Sequence, residues 1–452
     1  MSRLFCLCLF VFLSVPETLA QVTVRPDAAI EALVARVNPD TLESNVRRLA
    51  SFGTRHTLSE TASDTEGIGA ARRWILRTLE RYAGDGRIEV SFDTFTYHAD
   101  GRRINRDVVM KNVIARLPGT DPHDSRIFII SGHYDSRVSD IMNATSYSPG
   151  ANDDASGTAA SMEIARVLAH EAFPATLIMM TVPGEEQGLL GSTHFAALAD
   201  SLGWNVAGMI TLDIVGNSRG GNGTLDNRSI RLFSEGVPAA EGERGARIRA
   251  AVGGENDSPA RELARYLKEV GERYVPRMNV RLIYRRDRFL RGGDHTPFSA
   301  RGFAAVRMTE PNEDYTRQHQ DVRNEGGIAY GDVPDAVDYD YLADVTRINL
   351  AGLVNLAMAP PAPRDVGIWA RGLSVDTRLL WKVPAAGADR VAGYNIYVRD
   401  TTASLWETKI FVGNVTEFTL KGVSKDNHFF AVQSVDSAGH ESSIVFPVPV
   451  FR

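Results

Sequence analysis

The sequence predicts an α/β fold, with a mostly parallel or mixed sheet flanked by helices, followed by a small all-β sandwich at the C terminus. Beyond Pro174, strand-like runs alternate with helical patterns, and the runs TLIMMTV and GMITL are apolar almost throughout. Strands of this kind are buried on both faces, as in parallel sheets covered by helices. After about residue 360 the pattern changes to short alternating strands without helical periods, which predicts the second unit.

The first twenty residues have the layout of a secretory signal peptide. Arg3 precedes an apolar run from Leu4 to Leu13, and small or polar residues lead to a cleavage position after Ala20. The run is shorter than the ~20 residues that a spanning helix needs. We therefore predict export, either to a periplasm or out of the cell, with no membrane span after the signal (residues 1–20) is removed.

Both cysteines of the chain, Cys6 and Cys8, lie inside that predicted signal. The mature chain would then have neither a disulfide nor a cysteine ligand, so any metal site must use His, Asp and Glu. The formal net charge of -6 argues against a nucleic-acid partner, which usually needs a basic surface.

The main domain is predicted to span residues 21–359. Helical spacing indicates helices over residues 28–37 and 68–82, and DSPARELARYLKEV begins another, with Asp257 or Ser258 as its cap and Pro259 in its first turn. A long helix near residues 341–357 closes the domain. Glycines and mixed charge over about residues 218–257 favour an insertion over one end of the sheet.

A proline-rich linker, residues 360–364, leads to the predicted sandwich over residues 365–452. The runs TRLLWKVP, AGYNIYVRD, TEFTLKG and HFFAVQSVD are spaced as in an all-β sandwich. They resemble a fibronectin type III domain, although His428 stands where that family often has a corner tyrosine. Contact with a polymeric substrate, contact with a surface and simple extension of the chain all stay open as roles for this unit.

Acidic residues and one histidine follow the ends of three buried strands. His133 and Asp135 follow IFII, Glu185 and Glu186 follow TLIMMTV, and Asp213 follows GMITL. In open parallel sheets, ligands bind outside the carboxyl ends of the strands. These side chains are therefore expected at one site.

Two further motifs complete a predicted metal site. GANDDASGTAA places Asp153 and Asp154 side by side before a helix, and RGGDHTPF contains a histidine. The candidate ligands have the donor types that zinc prefers: His133, Asp153, Glu186, Asp213 and His295. Five ligands suit two metals that share one carboxylate, with an oxygen nucleophile between them. Asp153 is then the expected bridge, and Asp154 helps to fix the turn.

SGHYDS, GANDDASG, GEEQGLLGS, TLDIVGN and GGDHTPF together resemble the two-zinc exopeptidase family. The family includes secreted bacterial leucyl aminopeptidases, glutamate carboxypeptidase and glutaminyl cyclases, and the resemblance covers roughly residues 40–357. It implies two Zn²⁺ ions per chain, with His133 and Asp213 on one, Glu186 and His295 on the other and Asp153 bridging. It also implies Glu185 as general base and acid and Asp135 as support for the first zinc.

The predicted function is that of a secreted zinc aminopeptidase, which removes N-terminal residues from peptides by attack of a metal-bridged hydroxide. A carboxypeptidase or dipeptidase would need a cation for the substrate carboxylate, for which Arg288 and Arg291 are candidates. A single-zinc glutaminyl cyclase also stays open, and a non-catalytic binding or adhesion protein is less favoured. His319 and Asp321 in TRQHQDV are lesser candidates for a supporting role in the site.

Overall fold

The computed structural model describes residues 26–451. The predicted signal peptide, including Cys6 and Cys8, lies outside these residues. Within them, no helix combines the length and the apolar character needed to cross a bilayer.

An eight-stranded mixed sheet forms the centre of the first unit, in the order β1-β2-β4-β3-β5-β8-β6-β7. Its strands are β1 (Glu89–Tyr97), β2 (Val108–Leu117), β3 (Arg126–His133), β4 (Thr176–Val182), β5 (Asn205–Leu212), β6 (Ser229–Phe233), β7 (Asn279–Ile283) and β8 (Ala305–Thr309). The four middle strands β4, β3, β5 and β8 are parallel. Their carboxyl ends therefore lie at one edge of the sheet.

Helices cover both faces of this sheet, as the apolar strands predict. They are α1 (Ala28–Ala35), α2 (Pro39–Ala50), α3 (Gly67–Ala83), α4 (Ala155–Leu168), α5 (Leu190–Ser201), α6 (Glu243–Val252), α7 (Pro259–Tyr274), α8 (Thr296–Ser299) and α9 (Tyr339–Met358). Successive residues of β3 point to opposite faces. Phe128 and Ile130 pack with helices α1 to α4, α7 and α9, whereas Ile129 packs with α5 and α8.

The start of α7 is as the sequence predicts. The Ser258 side chain accepts a hydrogen bond from the backbone N–H of Arg261, and Pro259 occupies the first helical position. Proline suits that position because its missing N–H would have no partner in the helix.

Residues 218–257 differ from the prediction of an insertion lying over the sheet. Ser229–Phe233 forms β6, which is antiparallel to β8 and parallel to β7, so part of this segment belongs to the sheet itself. The five-residue run SIRLF is too short to stand out from the glycine-rich and charged residues around it. Only α6 and the adjoining loops lie outside the sheet.

The C-terminal unit consists of two small sheets that pack together. One has the order β15-β12-β11-β17 and the other β14-β13-β16, while β9 and β10 form a separate hairpin in the first unit. The bounds are β9 (Arg323–Glu325), β10 (Ile328–Tyr330), β11 (Arg364–Trp369), β12 (Thr377–Lys382), β13 (Gly393–Asp400), β14 (Thr408–Phe411), β15 (Glu417–Leu420), β16 (His428–Val435) and β17 (Val448–Val450). Trp381 and Tyr394 lie in the apolar core of this unit, with ring centroids 5.2 Å apart. The likeness to fibronectin type III stays a prediction.

Buried polar groups join the two units. Arg399 of β13 donates to both carboxylate oxygens of Asp257, at 2.8 and 2.9 Å, and Arg265 of α7 donates to the same carboxylate at 2.9 Å. Trp406 donates its indole N–H to Glu262 at 2.8 Å. The contact is thus a specific, desolvated network instead of a loose apolar patch.

The sandwich lies toward the amino ends of the parallel strands. Arg126, the first residue of β3, pairs with Asp124, whose carboxylate also binds Arg390 of the sandwich at 3.1 Å. The other end of β3 is His133, seven residues further along an extended strand, so about 23 Å away. The sandwich and the carboxyl-end edge of the sheet therefore lie on opposite sides of the first unit.

We expect Arg399→Met to destabilise the junction between the two units. The change leaves the buried Asp257 carboxylate with one of its two guanidinium partners, and breaking a buried pair costs about 3 kcal/mol. Urea denaturation followed by fluorescence and circular dichroism would measure the loss of unfolding free energy. Arg378→Met is the matched control, because its pair with Glu417 is exposed and should contribute less than ~1 kcal/mol. Equal losses of unfolding free energy in the two variants would contradict a stabilising role of Arg399 at the junction.

Candidate metal centre

The strand ends bring their polar side chains together as predicted. His133 is the last residue of β3, Asp213 follows β5 directly, and Glu185 and Glu186 follow β4 within four residues. Since β4, β3 and β5 are adjacent and parallel, these side chains lie at the same edge of the sheet.

The turn before α4 adds Asp153 to this edge. Asp154 caps α4 by accepting a hydrogen bond from the N–H of Gly157 at 2.9 Å, and the peptide bond between Asp153 and Asp154 is cis. The backbone N–H groups of Asn152 and Asp153 donate to the buried carboxylate of Asp332 at 2.9 and 2.7 Å. The turn that presents Asp153 is therefore held by carboxylates on both sides.

One group of potential metal ligands consists of His133, Glu185 and Asp213, whose donor atoms lie within 4.8 Å of one another. The His133 Nε2 lies 3.2 Å from Asp153 Oδ1 and 3.9 Å from Asp213 Oδ1. Its Nδ1 lies 3.2 Å from the carbonyl oxygen of Asp135, which can accept the ring proton. That hydrogen bond leaves the Nε2 lone pair directed at the carboxylates.

A second group consists of Asp153, Glu186 and His319, again within 4.8 Å. The His319 Nε2 lies 2.9 Å from Asp153 Oδ2 and 3.1 Å from Glu186 Oε1. Asp153 thus faces His133 with one oxygen and His319 with the other. This is the bridging geometry expected for a carboxylate shared by two cations.

Two buried atoms show that these groups fit metal ions. Among the residues described, neither His133 Nε2 nor Glu186 Oε1 makes an aligned hydrogen bond, although both are buried and lie 3.2 Å from Asp153 Oδ1 and 3.1 Å from His319 Nε2. A buried polar atom without a partner is costly, and both atoms point into the clusters. Imidazole nitrogens and carboxylate oxygens are donors that zinc accepts.

His295 is not part of either group, so its prediction as the partner of Glu186 is corrected. Its Nε2 lies 2.8 Å from the carbonyl oxygen of Arg286 and 3.7 Å from the Asp287 carboxylate. Unlike the other predicted ligands, His295 does not follow the end of a strand but directly precedes the short helix α8. Its ring faces Arg286 and Asp287. Burial lowers the pKa of His295 to about 4, so the ring is neutral.

His319 takes the place that the sequence assigned to His295. It lies in the loop after β8, where Gln318 donates to Asp153 Oδ2 at 3.1 Å and Arg137 Nη2 lies 2.6 Å from His319 Nδ1. The sequence analysis predicted only a supporting role for His319. The signal for a larger role is the repeated spacing His-x-Asp, which His319 and Asp321 share with His133 and Asp135.

Asp135 lies behind His133, where the sequence placed it. Its carboxylate accepts hydrogen bonds from the backbone N–H groups of Glu185 and Glu186 at 3.3 and 3.2 Å. The same residue therefore orients the histidine and fixes the loop that carries both glutamates.

Two arginines that the sequence did not single out support the site. Arg55 is fully buried and donates to the backbone carbonyls of Tyr134, Pro149 and Gly150, which hold the Asp153 turn against the end of β3. Arg307 of β8 is also buried and pairs with Asp213 at 2.9 Å and Asp287 at 3.2 Å. Neither contact leaves a periodic signal in the sequence.

The site opens into a cleft of about 280 Å³ whose lining includes Glu185, Glu186, Asp153, Asp213 and His319. Burial raises the pKa of the Glu185 carboxyl well above its usual range; His133 opposes this shift, whereas the Asp213 and Glu186 carboxylates add to it. A raised pKa brings a carboxyl closer to the range in which one group can both accept and donate a proton, as a general base and acid must.

Comparison with known proteins identifies the family. The model of peptidase family M28 matches residues 112–325. A probable zinc metalloprotease of Leptosphaeria maculans is 48% identical over 426 residues, which are 94% of this chain and 98% of the relative. The chain belongs to peptidase family M28.

Solved structures agree with the M28 fold. The LapA aminopeptidase of Legionella pneumophila superimposes with a TM-score of 0.52 at 18% identity, over 74% of this chain and 76% of that chain. An aminopeptidase from Aneurinibacillus sp. strain AM-1 gives a TM-score of 0.50 at 15% identity, over 73% and 96% of the two chains. At such identities the likeness shows the fold alone.

We expect His319→Ala and His295→Asn to separate the two histidines. Loss of the His319 imidazole removes one of three donors from the second group, so the purified variant should retain about half the metal of the wild type. His295→Asn should keep the full content, because its ring contacts protein backbone. Elemental analysis after dialysis against metal-free buffer measures both. Metal loss in the His295 variant alone would restore the original assignment.

Proposed function

We propose that this chain is a zinc-dependent aminopeptidase that cleaves the first peptide bond of substrates with a free N terminus. The observation that carries the proposal is that Asp153 lies between the two ligand groups, with one oxygen toward His133 and the other toward His319. Glu185, which belongs to the first group, lines the open cleft beside them. The family supports peptide hydrolysis, and two aminopeptidases share the fold.

Zinc is the proposed metal, with His133, Asp213 and Asp153 holding one ion and Glu186, His319 and Asp153 the other. Bound there, two zinc ions would polarise the scissile carbonyl and lower the pKa of a water molecule, effects worth several kcal/mol. The name of the relative from Leptosphaeria maculans supports the choice of zinc.

Glu185 is the proposed general base and acid. It accepts the proton of the attacking water and later donates it to the leaving amine as the carbon–nitrogen bond breaks. Asp135 holds His133 in one tautomer and fixes the backbone of both glutamates. Arg137 binds Glu186 Oε2 at 3.0 Å, which leaves Oε1 directed at the second group.

Export completes the proposal. The apolar run after Arg3 supports removal of residues 1–20 and release to a periplasm or outside the cell. The sandwich is proposed as an accessory unit of fibronectin type III type, since it lies toward the edge of the sheet opposite the metal centre.

We expect Glu185→Gln to lower turnover by about three orders of magnitude or more while metal content stays at the wild-type level. The amide keeps the shape of the side chain but cannot take the proton. Glu186→Gln is the comparison variant, and it should lose metal because it removes a charged ligand of the second group. Steady-state kinetics and elemental analysis on the same preparations separate the two effects. Near-normal turnover of the Glu185 variant would show that another group is the base.

The class of reaction is tested with one peptide in two forms, with a free and with an acetylated N terminus. The mature protein should cleave only the free form, lose this activity with a chelator and regain it with zinc. Mass spectrometry of the products identifies the bond that is cut. Cleavage of the acetylated form from its carboxyl end would identify a carboxypeptidase, and release of ammonia from an N-terminal glutamine would identify a cyclase.

A further inference from the structure

Arginine side chains surround the metal centre at the cleft. Apart from the ligand groups themselves, every charged residue that lines the cleft is an arginine: Arg103, Arg137, Arg288 and Arg291. Guanidinium groups bind carboxylates through paired hydrogen bonds. The lining therefore favours a substrate with a negative charge.

Arg103, in the loop between β1 and β2, has its charge available. Its Nη1 donates to the backbone carbonyl of Glu186 at 3.0 Å, and among residues 26–451 no carboxylate lies within ion-pair distance of it. The hydrogen bond anchors one end of the guanidinium over the loop that carries Glu185 and Glu186. Arg103 is otherwise exposed, so the rest of its guanidinium is accessible to a ligand.

Arg288 and Arg291, in the loop between β7 and α8, also line the cleft and share a single acceptor. Both donate to Oε2 of Glu313, at 2.9 and 3.0 Å, while Arg231 donates to Oε1 at 2.7 Å. Three guanidinium groups thus face one carboxylate. Arg288 is buried and also contacts Asp287, which fixes it as structural, whereas the Arg291 side chain is 33% exposed and can reach a ligand.

We infer that the substrate carries a carboxylate close to the scissile bond and that Arg103 and Arg291, from two different loops that line the cleft, bind it. This inference rests on the proposed function and names its substrate class. The carboxylate has two sources: the side chain of an acidic N-terminal residue, or the free C terminus of a dipeptide. Both present the same chemistry to the two arginines.

Two pairs of peptides distinguish these sources in the zinc-loaded protein. The first pair is Asp-Leu-Gly amide and Asn-Leu-Gly amide, which differ only in the charge of the first side chain. The second is Leu-Leu and its C-terminal amide. In one of the two pairs, the charged peptide should have a kcat/KM about 10-fold higher than its neutral partner, because the neutral peptide lacks the hydrogen bond to a charged group. The pair that shows this preference identifies the source of the carboxylate.

Arg103→Ala and Arg291→Ala should each reduce that preference, measured as the ratio of kcat/KM for the charged and the neutral peptide, to about 3-fold or less. Arg102→Ala and Arg285→Ala are the matched controls, since both are exposed arginines on the same loops outside the cleft lining. The controls should keep the wild-type preference.

Equal kcat/KM values within both pairs, or a preference that survives in the Arg103 and Arg291 variants, would overturn the inference. Calorimetric binding of the same four peptides to zinc-loaded Glu185→Gln protein reads the preference without turnover. If the wild-type protein hydrolyses none of the peptides but the calorimetry shows a binding preference that depends on the two arginines, the proposed function is rejected and the carboxylate site is retained. If the wild-type protein hydrolyses charged and neutral peptides equally well, the proposed function is retained and the carboxylate site is rejected.

Discussion

The carboxylate of Asp154 is the contact on which the rest of the site depends. One of its oxygens accepts the backbone N–H of His133 at 2.9 Å, and the other accepts those of Gly157 at 2.9 Å and Ile214 at 3.3 Å. These donors belong to the end of β3, the first turn of α4 and the segment after β5. A single buried group therefore holds three chain segments in register. The candidate ligands His133, Asp153 and Asp213 each lie on or directly beside one of the residues that this hydrogen bonding fixes. Two adjacent acidic residues are tolerated because one is saturated by N–H donors and the other faces the histidines.

Much of this arrangement could be predicted, because its causes are local in the sequence. An apolar run followed at once by a polar residue marks a strand end, and parallel strands bring such ends together. His133, Asp135, Glu185, Glu186 and Asp213 all carry this signal, and the structure places them at one edge. The cap and first turn of α7 were predictable for the same reason.

His319 and β6 could not be predicted in this way. His319 lies ten residues beyond the end of β8, in a loop that contacts Asp153 and Arg137, so no periodicity marks it. The β6 strand has five residues and pairs with partners far along the chain. His295 lies in a motif that resembles a ligand motif, but its ring contacts other protein groups and is close to the Asp287 carboxylate. Asp287 pairs with Arg307, and Arg307 also pairs with Asp213. Its motif thus marks support for the site, while the histidine of the second candidate ligand group, His319, comes from a loop.

The position of the C-terminal sandwich has a practical consequence. The contact of its Arg390 with Asp124 lies at the amino end of β3, and the length of that strand separates it from the cleft. A resin, a fluorophore or a fusion partner attached near residue 451 would therefore leave the cleft mouth unobstructed. The chain can be immobilised by this end for single-molecule or flow-cell assays with the candidate metal centre directed into solution.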